Sequence, residues 1–145
     1  MKVFFDTNVL VAACVRQHPH FVRADSLLRS CSEDNWEVIV HAHSLLEFHS
    51  ALTQLPGGLA VPPLQVNYLL AEGILPYVQL RAITADEVLV VQKRAGEQGV
   101  SGGIIYDLYH LAVAEKEGVD RFYTFNTRHF QSLATSVMLE RIITP

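Results

Sequence analysis

The sequence predicts an α/β fold, a mostly parallel sheet with helices on both faces. Three observations predict it. Short apolar runs rich in β-branched and aromatic residues alternate with longer segments of helical spacing. Such alternation favours parallel strands joined by crossover helices. The run Trp36 to Val40 (WEVIV) is almost continuously apolar, as a strand covered on both faces must be. Cap and turn residues punctuate the runs where elements should change.

Lys2 to Phe5 (KVFF) reads as the first strand and stops at Asp6-Thr7-Asn8, which is turn and helix-cap chemistry. Val9 to Val15 reads as a buried helix, broken by His18-Pro19-His20 because proline cannot continue a helix interior. Phe21, Ala24, Leu27 and Leu28 are spaced for a helix over Phe21 to Ser30. Trp36 to Val40 is the second strand. Ser44 to Leu55 is helical, with Ser44 and Glu47 at capping-box spacing, and Pro56-Gly57-Gly58 ends it. A helix over Leu64 to Leu75 and a short strand over Tyr77 to Leu80 follow. Thr84 and Glu87 form a second capping-box pair, opening a helix to about Gly96. Ser101-Gly102-Gly103 leads into the helix Ile104 to Glu117, stopped by Gly118. Arg121 to Phe125 (RFYTF) is a fourth strand, Asn126 to Leu133 a turn and short helix, and Val137 to Ile143 a last edge strand.

At 145 residues, with no repeat, linker or low-complexity tract, the chain is expected to be one domain over 1–145. Half its residues are apolar and its net charge is only −4, which excludes intrinsic disorder. The longest apolar run, Val9 to Val15, falls far short of the roughly 18 residues of a membrane span. Net acidity argues against holding nucleic acid by bulk positive charge. It does not exclude reaching phosphate through a bound metal. Cys14 and Cys31 are too few for a disulfide scaffold, and no signal-peptide pattern opens the chain. A cytoplasmic location with reduced thiols is the expectation.

Ligands of an open α/β sheet bind beyond the carboxyl ends of its strands. Asp6 and Asn126 directly follow the first and fourth strands. Glu47 and Asp107 fall near the starts of helices that point back to the same sheet edge. Three carboxylates and a carboxamide, far apart in sequence, are therefore expected to converge. Clustered carboxylates raise one another's pKa, and a hard divalent cation is the usual remedy. Such a site suits phosphoryl chemistry. Taken singly, each residue also fits an ordinary role: Asp6 as a helix cap, Glu47 as the partner of Ser44, Asp107 as a complement to a helix dipole, Asn126 as a turn residue.

Four segments carry a family resemblance. Phe4-Phe5-Asp6-Thr7-Asn8-Val9-Leu10 resembles the opening motif of PIN-domain ribonucleases, the fold of VapC-type toxins of toxin–antitoxin pairs. Ser44-Leu45-Leu46-Glu47-Phe48, Gly103-Ile104-Ile105-Tyr106-Asp107 with Leu111-Ala112-Val113-Ala114, and Tyr123 to Phe130 resemble the second, third and fourth motifs. The resemblance implies a three-layer α/β/α fold and a magnesium- or manganese-dependent endoribonuclease. It implies Asp6, Glu47 and Asp107 as metal-site and catalytic residues, with Asn126 beside them. Thr7, Thr124 and Asn126 are candidates to position water and phosphate, and Arg128 is the best basic candidate for RNA phosphate, ahead of Arg16 and Arg81. It further implies products with a 3′-hydroxyl and a 5′-phosphate, a cognate antitoxin that sends a basic side chain into the cleft, and a homodimer. Family members often carry an acidic residue where this chain has Asn126, and another where it has His129. An amide brings no charge, so one magnesium rather than two is expected.

Other readings fit parts of the sequence. A degraded site would leave a non-catalytic RNA- or protein-binding module of the same fold. A strand-end Asp also opens haloacid-dehalogenase phosphatases, but that chemistry wants a second Asp where this chain has Asn8. His41, His43 and His49 raise a zinc reading, yet no Cys is near and no fourth ligand is evident, which favours surface or loop-capping histidines. His110 and His129 are near Asp107 and Asn126 in sequence and are expected to be structural or solvated rather than phosphate contacts.

Overall fold

A computed structural model describes residues 1–145. Five strands form one sheet: β1 (Lys2–Phe5), β2 (Glu37–His41), β3 (Gln79–Arg81), β4 (Arg121–Tyr123) and β5 (Ile142–Ile143). Their spatial order is β3-β2-β1-β4-β5, and every neighbouring pair is parallel. The α-helices are α1 (Thr7–Cys14), α2 (Phe21–Glu33), α3 (Ser44–Thr53), α4 (Pro63–Tyr68), α5 (Ala85–Glu97), α6 (Ile104–Glu117), α7 (Thr127–Leu133) and α8 (Ser136–Leu139).

The strand pleat sends alternate side chains to opposite faces, and two cores result. Val3 and Phe5 of β1 join Val38 and Val40 of β2 on one face, against Leu10 of α1, Ala24 of α2 and Phe48 of α3. Phe4, Ile39 and Phe122 occupy the other face, against Val91 of α5, Leu111 of α6 and Phe130 of α7. The result is the expected three-layer α/β/α arrangement. Phe4 sits in register with Ile39 on one neighbour and Phe122 on the other, so the middle of the sheet is apolar throughout. No helix is long and apolar enough to cross a membrane. Cys14 and Cys31 are free, and burial pushes both thiols up to about 11.

Local signals match the structure where the segment's own chemistry decides. The Thr84–Glu87 capping box forms, the Thr84 hydroxyl accepting from Glu87 N–H at 3.3 Å and the Glu87 carboxylate accepting from Thr84 N–H at 2.6 Å. Gly118 ends α6 at φ +62°, a left-handed turn that only glycine adopts without penalty.

Elsewhere the structure differs from expectation. The predicted Ser44–Glu47 box is absent: His43 precedes α3 without a side-chain cap, and the buried Ser44 hydroxyl has no hydrogen-bond partner. The helix expected over Leu64 to Leu75 changes type after Tyr68, becoming π-helical over Leu69–Ile74 and 3₁₀ over Leu75–Tyr77. Pro76 has no N–H to continue the ladder, so an ordinary helix cannot run through it. Strand β4 ends at Tyr123 rather than Phe125, because the Phe125 N–H turns away to the Asn8 side chain. Only Ile142–Ile143 of the tail is strand, since Ser136–Leu139 coils to bury Met138.

Phe122 is fully buried, stacked on Phe4 at 4.8 Å and against Phe130 at 4.7 Å between ring centroids. Truncation there leaves a cavity in the middle of one face. Phe122→Ala should lower unfolding stability by about 3–5 kcal/mol, measured by urea denaturation. A loss under about 1 kcal/mol would mean that this face repacks freely.

Candidate active site

The chain enters the sheet at its middle strand. It builds β2 and β3 outward on one side, then crosses to place β4 and β5 on the other. Connections diverge at the β1–β4 pair, and the crevice outside the carboxyl ends at such a point is where open α/β sheets take ligands. A cleft of about 310 Å³ opens there, with Asp6, Asn8, His18, Glu47, Asp107 and Asn126 among its lining residues. Asp6 stands between β1 and α1, and Asn126 immediately precedes α7. Glu47 and Asp107 are in the first turns of α3 and α6. The predicted convergence of residues 6, 47, 107 and 126 on one edge is what the topology delivers.

Each carboxylate is held by a donor from another part of the fold. The Thr124 hydroxyl donates to Asp6 Oδ2 at 2.7 Å. Glu47 Oε2 accepts from the Thr7 hydroxyl at 2.6 Å and faces His110 Nε2 at 2.7 Å. Asp107 Oδ2 lies 2.7 Å from His129 Nδ1, and the Asn126 amide lies 3.1 Å from that same nitrogen. Asn8 ties two segments together, its amide donating to Thr124 Oγ1 at 3.0 Å while its carbonyl accepts from Phe125 N–H at 3.1 Å.

The electrostatics follow from burial and crowding. Asp6 is only 5% exposed, and burial pushes its carboxyl up to about 6; the Asp107 charge adds to the rise, against His110 and the Thr124 hydrogen bond. Burial also raises Asp107, with Glu47 repulsion contributing and His129 and His110 opposing. Burial would raise Glu47 too, but His110, Thr7 and His43 together outweigh it and hold Glu47 below its ordinary value. Two acids thus resist ionisation while the third is kept charged.

The remaining sequence candidates are placed unequally. Thr7 is buried and spends its hydroxyl proton on Glu47. Thr124 is fully buried, giving its proton to Asp6 and accepting from Asn8 and from Asn126 N–H. With no exposed face, it holds Asp6 and is not among the residues lining the cleft. Arg128 is exposed at the start of α7. Arg81 is engaged with Glu37 at 3.8 Å and Glu117 at 3.5 Å, and Arg16 lines a different cavity with Asp25 and Glu33. His41 is no surface or loop-capping residue: it is buried, with its Nδ1 3.1 Å from His110 Nδ1.

Asn8 and His18 line the cleft and His110 reaches Glu47, though the sequence pattern does not single them out for the site. His110 follows Asp107 by three positions, a spacing that puts both on one helix face, and that signal was available.

As placed, no group of three or more His, Cys, Asp or Glu side chains is spaced to hold a metal ion. The donor set is nonetheless oxygen-rich, as magnesium and manganese prefer. Magnesium keeps several waters and needs only one or two direct carboxylates, so a looser arrangement around one cleft is compatible with it.

The PIN domain family profile matches residues 3–135. The chain belongs to the PIN-domain family. Solved structures agree with the fold. The chain is similar to the Mycobacterium tuberculosis toxin VapC20, described as cleaving the sarcin–ricin loop, at 19% identity and a TM-score of 0.67, covering 88% of this chain and 92% of that one. It is similar to a chain of VapBC2 from Rickettsia felis, a structure bound to a promoter DNA fragment, at 16% identity and a TM-score of 0.70, covering 99% and 98%. It is also similar to FitAcB from Neisseria gonorrhoeae at 20% identity and a TM-score of 0.61, covering 90% and 92%. A sequence comparison with curated proteins finds no match.

Within this PIN domain the raised Asp6 carboxyl has a measurable consequence. Its folded-state pKa of about 6 exceeds the ordinary 3.8, so the folded state binds the proton more tightly than the unfolded one. The Asp6 contribution to stability should therefore fall as pH rises from about 4 through about 6, and stay lower above. The full effect is about 3 kcal/mol, at roughly 1.4 kcal/mol per pH unit. Asp6→Asn, measured in chelator, should be more stable than wild type at pH 8, with the difference vanishing near pH 4. Parallel stability curves for the two proteins would contradict the assignment.

Proposed function

We propose that this PIN domain is a magnesium- or manganese-dependent endoribonuclease and the toxin of a toxin–antitoxin pair. The observation that carries the reading is the joint lining of one switch-point cleft by Asp6, Glu47, Asp107 and Asn126, drawn from four separate segments. Three crowded acids, two of them pushed toward protonation, are an arrangement that costs stability unless positive charge is supplied.

Asp6 and Asp107 would hold the cation, with Glu47 completing its surroundings or orienting the attacking water. When bound, the cation offsets phosphate charge and makes a water more acidic. Glu47, kept ionised by His110 and Thr7, is suited to fix a water by accepting its hydrogen bond. Thr124 and Asn8 keep Asp6 and the Thr124–Asn126 backbone in place while the substrate binds. Asn126 lines the cleft and offers an amide to water or phosphate without adding charge. Arg128 is free to meet RNA phosphate from the exposed start of α7. Water attacks phosphorus in line, the bond to the 3′ oxygen breaks, and the products are a 3′-hydroxyl and a 5′-phosphate.

The names of the structural neighbours support the partner reading, since VapBC2 and the Fit structures are complexes. A cognate antitoxin that delivers a basic side chain to the acidic cleft fits the same electrostatics. A homodimer and a cytoplasmic setting complete the proposal.

The test is cleavage of a mixed structured-RNA pool with magnesium or manganese, with and without chelator. Wild type should cut and leave 5′-phosphate ends, and chelator should abolish cutting. Asp107→Asn should fold and lose more than roughly 100-fold in rate, beyond the 10- to 100-fold typical of an outer partner of a metal ligand. Full cutting by this variant would refute the proposed site. RNA binding without cleavage under any divalent cation would place the chain among non-catalytic modules, a reading to which the uncharged Asn126 lends some weight.

A further inference from the structure

Two buried histidines are not reaction partners in this scheme. His41 closes β2, and His110 lies one turn beyond Asp107 on α6; each is 1% exposed. Imidazole nitrogens so deeply buried must find partners. The two nitrogens of His110 find different ones, Glu47 Oε2 at 2.7 Å from Nε2 and His41 Nδ1 at 3.1 Å from Nδ1.

Hydrogen-bond chemistry restricts where the protons lie. An ionised carboxylate only accepts, so the hydrogen between His110 and Glu47 belongs to Nε2. Two imidazole nitrogens facing one another share a single proton, one ring donating and the other accepting. Burial, with His110 and His43 adding, pushes His41 down to about 3, so His41 is a neutral ring at neutral pH. When His110 is neutral, its Nδ1 accepts from His41, and that acceptance fixes the tautomer that donates to Glu47. Thr7 donates to the same Oε2 at 2.6 Å. Oε2 is therefore gripped from α6 and from α1, while Oε1 takes part in neither bond and lies 3.7 Å from His43 Nε2.

We propose that His41 and His110 are positioning residues, a two-histidine brace that sets the direction of the Glu47 carboxylate at the cleft. The proposal rests on the metal-dependent reading above, with Glu47 completing the cation's surroundings. The brace links β2, α3 and α6, so the acid of α3 is held from the same helix face that carries Asp107. A histidine pair serving only to fill the core would do so equally well without reaching Glu47.

Two amide variants separate these roles. A glutamine amide at 110 reaches about as far as Nε2 and can still donate to Glu47. An asparagine amide reaches only to the Nδ1 position, facing His41 and abandoning Glu47. Binding of Mn²⁺ alone, without RNA, is read by electron paramagnetic resonance, and folding by thermal unfolding. His110→Asn should bind Mn²⁺ about 10- to 100-fold more weakly than wild type, the range expected when the outer partner of a ligand is lost. His110→Gln should stay within a few-fold of wild type. Equal affinity in all three proteins, or equal loss in both variants, overturns the brace.

Long-range ¹H–¹⁵N spectra of the metal-free wild type supply a readout that needs no variant to fold. His110 should show a protonated Nε2 protected from solvent. A bare or rapidly averaged Nε2 overturns the proposal. If wild type binds no Mn²⁺ saturably, the cleavage reading fails by itself, and the spectra alone decide the brace.

Discussion

Asp6 leaves β1 where the sheet connections diverge, and Glu47 and Asp107 arrive there at the starts of two helices from opposite layers. Like charges brought this close repel, and the low polarity of the sheet edge makes the repulsion stronger. The structure answers with donors that are interleaved rather than local. Thr7 is the neighbour of Asp6 but serves Glu47. His110 shares a helix face with Asp107 but reaches Glu47. Thr124 comes from the far end of the chain to serve Asp6. No acid can move without disturbing an element that also positions another acid. Such networks hold a site more firmly than separate pairs would.

Asn8 shows how the same principle shapes the backbone. Both ends of its amide are spent on the residues that follow β4, one on the Thr124 hydroxyl and one on the Phe125 N–H. The Thr124 N–H still pairs with Ile143 O at 3.1 Å, so the ladder persists to that residue and no further. The exit of β4 is bent toward the end of β1 by a side chain, and Asn126 is carried to the cleft as a result. Position 8 thus has a structural demand for an amide, which supplies a donor and an acceptor at once. A carboxylate, as phosphatase chemistry would want there, would place a second acceptor against the Thr124 oxygen.

These contacts explain what was legible in the sequence. β1, the span of α6, the Thr84 box and the Gly118 stop were readable because each is set by neighbours within a few positions. The convergence of residues 6, 47, 107 and 126 was readable because alternating strands and helices fix which ends share an edge. Glu47 was misleading for a physical reason. Its spacing from Ser44 is that of a capping box, but tertiary donors from Thr7 and His110 outcompeted the backbone of its own helix. Thr84 and Glu87 face no such competition from the cleft. The early end of β4 and the burial of His41 depend on partners about 70 to 117 positions away, and no local pattern encodes them.

The carboxamide at 126 is informative in the same terms. His129 Nδ1 is 2.7 Å from Asp107 and 3.1 Å from the Asn126 amide. A carboxylate at 126 would compete with Asp107 for that one nitrogen and bring another like charge to the cleft. With an amide there, no second carboxylate draws the imidazole proton from Asp107, whose carboxyl burial pushes upward, a rise that His129 opposes. The uncharged amide at 126 and the histidine at 129 thus act together beside Asp107. This leaves three acids, each with its own donor.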